Sequence, residues 1–250
     1  MSNQTDLTVL TVVENDCGLI DYMIKSVRKF THPAPRFIIC DNGRNRDVLD
    51  KYRDDKDITI FTNKPKLAGG SNRHGSGLNA AFEFVGTTRF AIVESDCIVL
   101  KEDWDYVGSP TYQLAAAKKG EIARQPFYHV CFLVGSTGLL RHGDGIDFRP
   151  GKASNRSNRP YKPHEDVGWQ LRTKVRPDQV NPVVFVDCKS GDGKYFDSSF
   201  QSDEFWRGGD AIVAHFGRGS NIGGKAIRKG FDHPKEQLKA WKNVADEIIK

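Results

Sequence analysis

Four short apolar runs rich in β-branched residues, at positions 7–13, 37–40, 58–61 and 90–93, alternate with three segments of helical spacing or composition, 19–30, 47–55 and 72–85. Strands alternating with helices at this spacing predict an α/β fold with a mostly parallel central sheet flanked by helices. A chain of 250 residues is long enough for one large α/β domain with a full core, so a single domain over 1–250 is expected. Segment 63–70, rich in Pro, Lys and Gly, reads as a loop crossing the ligand edge of the sheet.

The order loosens after residue 100. The sequence predicts a helix over 103–118, then an apolar run over 129–140 that makes one long strand or two short ones. Residues 141–163 are rich in Gly, Arg, Asn and Pro and poor in core residues, which predicts a surface loop able to order over a ligand. A helix over 165–174, a strand over 183–186, a polar loop over 189–203, an apolar run over 211–216 and a C-terminal helix over 235–249 complete the expected order. No internal repeat is present.

Composition narrows the function classes. An apolar fraction of 38% with 28% charged residues describes an ordinary soluble protein, and no run reaches the roughly 18 apolar residues of a membrane span. The N-terminal residues carry no basic segment ahead of their apolar run, so a cytoplasmic location is expected. Cys17, Cys40, Cys97, Cys131 and Cys188 occur singly, which argues for reduced thiols and against a disulfide framework or a cysteine-rich zinc site. The net charge of +5 suits an anionic ligand weakly, and no basic run with interleaved aromatics points to nucleic acid.

The candidate chemistry centres on the run FAIVESDCIVL at 90–100, where an apolar strand delivers Glu94 and Asp96 at its end. Two carboxylates two residues apart on an extended segment point the same way, toward the sheet edge where open α/β folds bind ligands. The plainer alternative is a solvated strand end. The second strand ends in Asp41, Asn42 and Gly43, which reads as a turn or as a carboxylate placed to meet a base or ribose. The first βα turn carries neither a GxGxxG nor a GxxxxGKS pattern, so hydride transfer and P-loop hydrolysis lose support.

Taken in order, these motifs resemble a family 2 inverting glycosyltransferase of the GT-A fold, the group that includes rhamnosyltransferases. The similarity runs through the strand ending FIICDNG, then Asn63, Gly69, Gly70, Asn72 and Gly75, then Glu94, Ser95 and Asp96 in place of the family's DxD motif. It continues in His164, Glu165, Asp166, Val167, Gly168, Trp169, Gln170, Leu171 and Arg172, similar to the family's EDVDWCLR segment, and in HFGRGS at 215–220.

The resemblance implies a GT-A fold with a Rossmann-like nucleotide-sugar-binding half over about 1–100 and an acceptor half over about 101–250. It implies Mn2+ or Mg2+ held by Asp96 and His215, and donor contacts from Asp41, Asn72, Glu94 and Arg218. It also implies Asp166 as the catalytic base, with Glu165 beside it. The donor would be a nucleotide-diphosphate sugar and the acceptor a glycan, a lipid-linked molecule or a protein. A diphosphate leaves readily only when its developing charge is neutralised, and an acceptor hydroxyl attacks only as it loses its proton, so a cation site and a facing carboxylate belong together.

Each residue also has a plainer reading. Glu165 and Asp166 would be ordinary acids in a helix's first turn, His215 a core histidine, and Trp169 and Trp206 packing residues rather than sugar platforms. The Arg-rich stretch 149–159 would be a solvated loop, and Asp144 and Asp147 are the reserve candidates for the base. The family often has an acid where this chain has Gly168. Other function classes are a nucleotidyltransferase of related α/β fold, disfavoured by the absence of a Gly-rich basic loop after the first strand, and a non-catalytic sugar-nucleotide or carbohydrate-binding protein.

Overall fold

The computed structural model describes residues 6–14, 18–43, 46–64, 70–122, 125–141, 145–150, 166–217 and 234–250. Strand β1 (Leu7–Val13) is buried along its whole length. It pairs in parallel with β2 (Arg36–Asp41) and with β4 (Arg89–Val93), while β3 (Ile58–Thr62) lies parallel outside β2. The crossovers carry α1 (Ile20–Lys29), α2 (Arg46–Leu49) and α3 (Gly70–Phe82). This is the parallel core that the alternating pattern predicts.

Beyond β4 the sheet is mixed. Strands β5 (Cys97–Val99), β6 (Leu114–Ile122), β7 (Gln125–Ser136), β8 (Val180–Asp187), β9 (Asp203–Arg207) and β10 (Asp210–His215) extend the order to β3-β2-β1-β4-β7-β6-β8-β9-β10-β5. Strand β7 runs antiparallel to β4 and β6, β8 is parallel to β6, and the remaining neighbours are antiparallel. Helices α4 (Thr137–Arg141), α5 (Leu171–Lys174) and α6 (Pro234–Ile249) complete the fold.

One consequence of this order positions the site. Strands β4 and β5 stand six places apart in the sheet, yet only Glu94, Ser95 and Asp96 separate them in the chain. Six flat inter-strand steps would cover about 29 Å, whereas four residue steps reach at most about 14 Å. The sheet therefore curls until its last strand returns beside its fourth, and the two acids bridge the seam.

The helices pack by their apolar periods. Ile20, Met23, Ile24 and Val27 put one buried face of α1 against the sheet, and the buried Ser26 Oγ in their midst accepts a hydrogen bond from Val99 N at 2.9 Å. On α6, Trp241 and Ala245 are buried and Leu238 and Ile248 flank them. The Trp241 ring stacks on Phe196 at 5.6 Å, and its indole N–H donates to Ser202 Oγ at 3.3 Å. Among the described residues no helix is long and apolar enough to cross a membrane.

Several expectations for the second half are corrected. The helix expected over 103–118 is instead an irregular segment leading into β6, because residues 114–117 are buried on both faces between β7 and β8. A central strand's burial overrides the helix propensity of three consecutive alanines. The apolar run over 129–140 is one strand, β7, followed by the short helix α4. The polar stretch 189–203 ends in a strand, β9, that the sequence pattern does not reveal.

The start of β9 also anchors the polar loop before it. Glu204 is fully buried, and its carboxylate accepts from the backbone N–H groups of Lys194, Tyr195 and Phe196 and from Trp206 Nε1, at 2.8 to 3.1 Å. Glu204→Gln should cost roughly 2–5 kcal/mol, since an amide turns a donor toward at least one of these N–H pairs. The expected readout is a lower denaturant midpoint at unchanged slope. An unaltered midpoint would show that the carboxylate does not hold this loop.

Candidate active site

The seam between β4 and β5 is a turn. Cys97 N donates to Glu94 O and Glu94 N donates to Cys131 O of the neighbouring β7, both at 3.0 Å. Glu94 and Asp96 converge because of this turn and not because the strand runs on. Their common target is His215 at the end of β10, which pairs with Cys97 at the start of β5. His215 Nε2 lies 3.2 Å from Glu94 Oε2 and 3.3 Å from Asp96 Oδ1. On the other side of the ring, Nδ1 lies 3.4 Å from Asp203 Oδ2, and Asp203 is directly opposite His215 in the β9–β10 ladder.

Electrostatics follow from this grouping. Burial works against a charge on His215, but the Asp96 carboxylate and the hydrogen bond to Asp203 outweigh it and hold the imidazole well above its ordinary range. Burial likewise disfavours ionised Glu94, yet His215 and His74 bring that carboxyl down to about 2.

Glu94, Ser95 and Asp96 line a cleft of about 460 Å³. Gly70, Ser71 and His74 of α3 line it as well, so the N-terminal turn of a 13-residue helix opens onto the cleft beside the acids. Arg73 fixes that helix: its Nη2 donates to Asn42 O at 2.8 Å, its own carbonyl accepts from Asn42 Nδ2 at 2.6 Å, and it forms an ion pair with Glu14. The next residue, His74, then reaches Glu94 Oε1 with Nδ1 at 3.4 Å. Close packing is obligatory here, because a Cβ on Gly77 would lie 2.8 Å from Val12 Cγ1.

Asp166 lines the same cleft. Its Oδ1 accepts from Val167 N at 2.8 Å, and its Oδ2 lies 3.5 Å from Lys119 Nζ on β6. The helix expected over 165–174 is shorter than predicted: residues 166–170 form turns and α5 begins only at Leu171. Asp166 is therefore not a first-turn helix acid. Gly168 makes the break, with φ at +74°, and a Cβ there would lie 2.3 Å from Val130 Cγ1. The acid that the family often carries at this position has no room in this chain.

The other expected residues are placed differently. Asp41 is buried and its Oδ1 accepts from Gly43 N at 3.0 Å, the bond of a turn, and Asn72 is buried on α3. Neither is among the side chains lining the cleft. Glu165, Arg218, Gly69 and Asp144 lie outside the described residues, as do most of the expected loop over 141–163 and of the segment over 63–70. Asp147 is engaged by Asn79 Nδ2 at 2.7 Å and by Arg149. Trp169 lies under the Arg172 guanidinium and Trp206 donates to Glu204. The aromatic wall of the cleft is made instead by Phe127, Tyr128 and His129 of β7. His129 stacks on Phe185 at 4.3 Å, and burial pulls its pKa down to about 4.

No protein-family model and no curated protein matches the chain. Solved structures that resemble it include a mannosyltransferase from Pyrobaculum calidifontis in complex with GDP-Man and Mn2+, at 14% identity and a TM-score of 0.46, over 57% of this chain and 48% of that one. Another is S. aureus TarS 1-349 in complex with UDP-GlcNAc, at 12% identity and 0.48, over 98% and 67%. A third is the galactosyltransferase LgtC in complex with donor and acceptor sugar analogs, at 14% and 0.41, over 55% and 60%. The chain thus spans about half the length of the first. At these identities the likeness concerns the fold alone, a mixed α/β sheet with a parallel core.

Proposed function

We propose that the protein is a metal-dependent, inverting glycosyltransferase, of the family 2 type, that moves a sugar from a nucleotide-diphosphate donor to an acceptor hydroxyl. The observation that carries this reading is one cleft lined by Glu94, Asp96 and Asp166, with His215 within 3.3 Å of both of the first two carboxylates. The donor set fits a divalent cation. Its 3.2 and 3.3 Å separations are close to the roughly 3 Å between adjacent ligands of one Mg2+-sized ion, and carboxylate oxygens with one imidazole nitrogen suit Mn2+ or Mg2+. Such an ion would neutralise the charge that develops on a leaving diphosphate.

The chain's own residues supply the rest. The N-terminal turn of α3 presents backbone N–H groups and a positive dipole end to an anionic donor. Asp166 serves as the base that takes the acceptor proton, and Lys119 beside it supplies a positive charge to either substrate. Asp203 orients His215 as a carboxylate orients a metal-ligating imidazole. Asp203→Asn should therefore lower Mn2+ affinity by about 10–100-fold in a direct titration. Unchanged affinity would remove Asp203 from the metal's support.

The reading is tested with a panel of UDP- and GDP-sugars, each with Mn2+, with Mg2+ or with excess chelator, followed by thermal stability and by release of nucleotide diphosphate. One donor should stabilise the protein only with metal and should be slowly hydrolysed. Metal-dependent binding without product would favour a non-catalytic binding protein, and full turnover in chelator would overturn the metal role.

A further inference from the structure

The cleft holds a potential ligand that neither the acidic motif nor the proposed transfer uses. Cys131 Sγ, a Glu94 carboxylate oxygen and a His215 ring nitrogen lie within 4.8 Å of one another. The β4–β7 ladder makes this contact: Val93 pairs with Phe132, and Glu94 N donates to Cys131 O at 3.0 Å. Cys131 also lines the cleft, whereas Cys40, Cys97 and Cys188 are buried and do not line it, Cys97 directing its Sγ to the Cys131 carbonyl at 3.6 Å.

Glu94 and His215 therefore belong to two overlapping donor sets. With Asp96 they offer oxygen and nitrogen only, which suits Mn2+ or Mg2+. With Cys131 they offer oxygen, nitrogen and sulfur, three protein ligands of the types that hold zinc with a fourth position open. At a given site Zn2+ also outranks Mn2+ in affinity. We propose that Glu94, Cys131 and His215 form a site for a thiophilic divalent cation, Zn2+ being the physiological type, and that its occupation excludes the ion held through Asp96. Binding forms metal–sulfur and metal–nitrogen bonds, and the Cys131 thiol proton and the proton on the liganding His215 nitrogen both pass to solvent, with no change of oxidation state.

The site shares two residues with the proposed transferase centre, but its test needs no nucleotide sugar and no turnover, so either reading can fail without the other. Cd2+ is the probe, because a cadmium–thiolate bond gives a charge-transfer absorption that oxygen and nitrogen ligands do not. The full chain, fully reduced, is titrated with Cd2+ and then back-titrated with Zn2+. The wild type should develop the absorption at one Cd2+ per chain and lose it to Zn2+. Cys131→Ser, which leaves the other four cysteines in place, should lack the absorption and bind Zn2+ at least about tenfold more weakly, a ligand's loss costing no less than an outer partner's. Its Mn2+ affinity should stay within a fewfold of wild type. Cys131→Ala serves as the second variant should the serine destabilise β7. No absorption in the wild type, or absorption and Zn2+ affinity retained in either variant, overturns the proposal.

Discussion

Asp166→Asn should lower kcat by about 10²–10⁴-fold while leaving donor affinity nearly unchanged. The asparagine keeps an oxygen for the Val167 N–H that now donates at 2.8 Å, so the turn that presents the side chain is retained. What changes is the second oxygen of this cleft-lining residue, which lies 3.5 Å from Lys119. An amide nitrogen there cannot accept a proton from an attacking hydroxyl. Glu165→Gln should be the milder change if Glu165 only orients the site. The decisive measurement is kcat beside the donor dissociation constant for both variants. Near-normal turnover in Asp166→Asn, or a greater loss in Glu165→Gln, would assign the base to another carboxylate.

The second large effect is expected at Asp96, in the lining of the cleft. Nucleotide diphosphate with Mn2+ at about a hundredfold over its dissociation constant should stabilise the wild type by about 2.7 kcal/mol, a rise in Tm of about 5–10 °C. In Asp96→Asn that rise should vanish. The variant loses one of the two carboxylates that face His215 Nε2, at 3.3 Å, and an amide is a poor ligand beside a shared imidazole. The fold should persist, because Asp96 contributes its backbone to the seam through the Phe216 N–H bond to its carbonyl at 2.9 Å, and that bond is indifferent to the side chain. A full metal-dependent rise in Asp96→Asn would exclude Asp96 as a ligand.

The sequence by itself determined the parts whose stability is local or one-faced. Strands β1, β2 and β4 read as apolar β-branched runs because parallel strands inside a sheet are buried on both faces, while β3, the partly exposed edge strand, still shows Ile58, Ile60 and Phe61. Helices α1, α3 and α6 were legible from helical spacing or composition, and β10 as the apolar run over 211–216. Glu94 and Asp96 were legible from the strand end, and His215 and Asp166 as what the resemblance implies; Glu94, Asp96 and Asp166 line one cleft, and His215 lies within 3.3 Å of the first two carboxylates.

Only the tertiary structure decided the rest, for reasons of packing and register. The helical appearance of the alanines in β6 gives way because a central strand position needs small side chains on both faces. Asp166 stands at a turn rather than in a helix because Gly168 adopts a conformation no helix permits. The partner of His215 depends on a single irregularity. Counting back from the Gly208–Gly209 turn, Asp210 pairs with Arg207 and Ala211 with Trp206, which would set residue 202 opposite His215. The register shift between Ala211 and Val213 moves the pairing by one and brings Asp203 there instead. Cys131 likewise enters the site through the β4–β7 ladder, a contact between residues 37 apart in the chain that no local pattern encodes. Local periodicity selects strands and helices, but a one-residue slip turns every side chain to the opposite face, so the company each acid keeps is fixed only when the curled sheet closes.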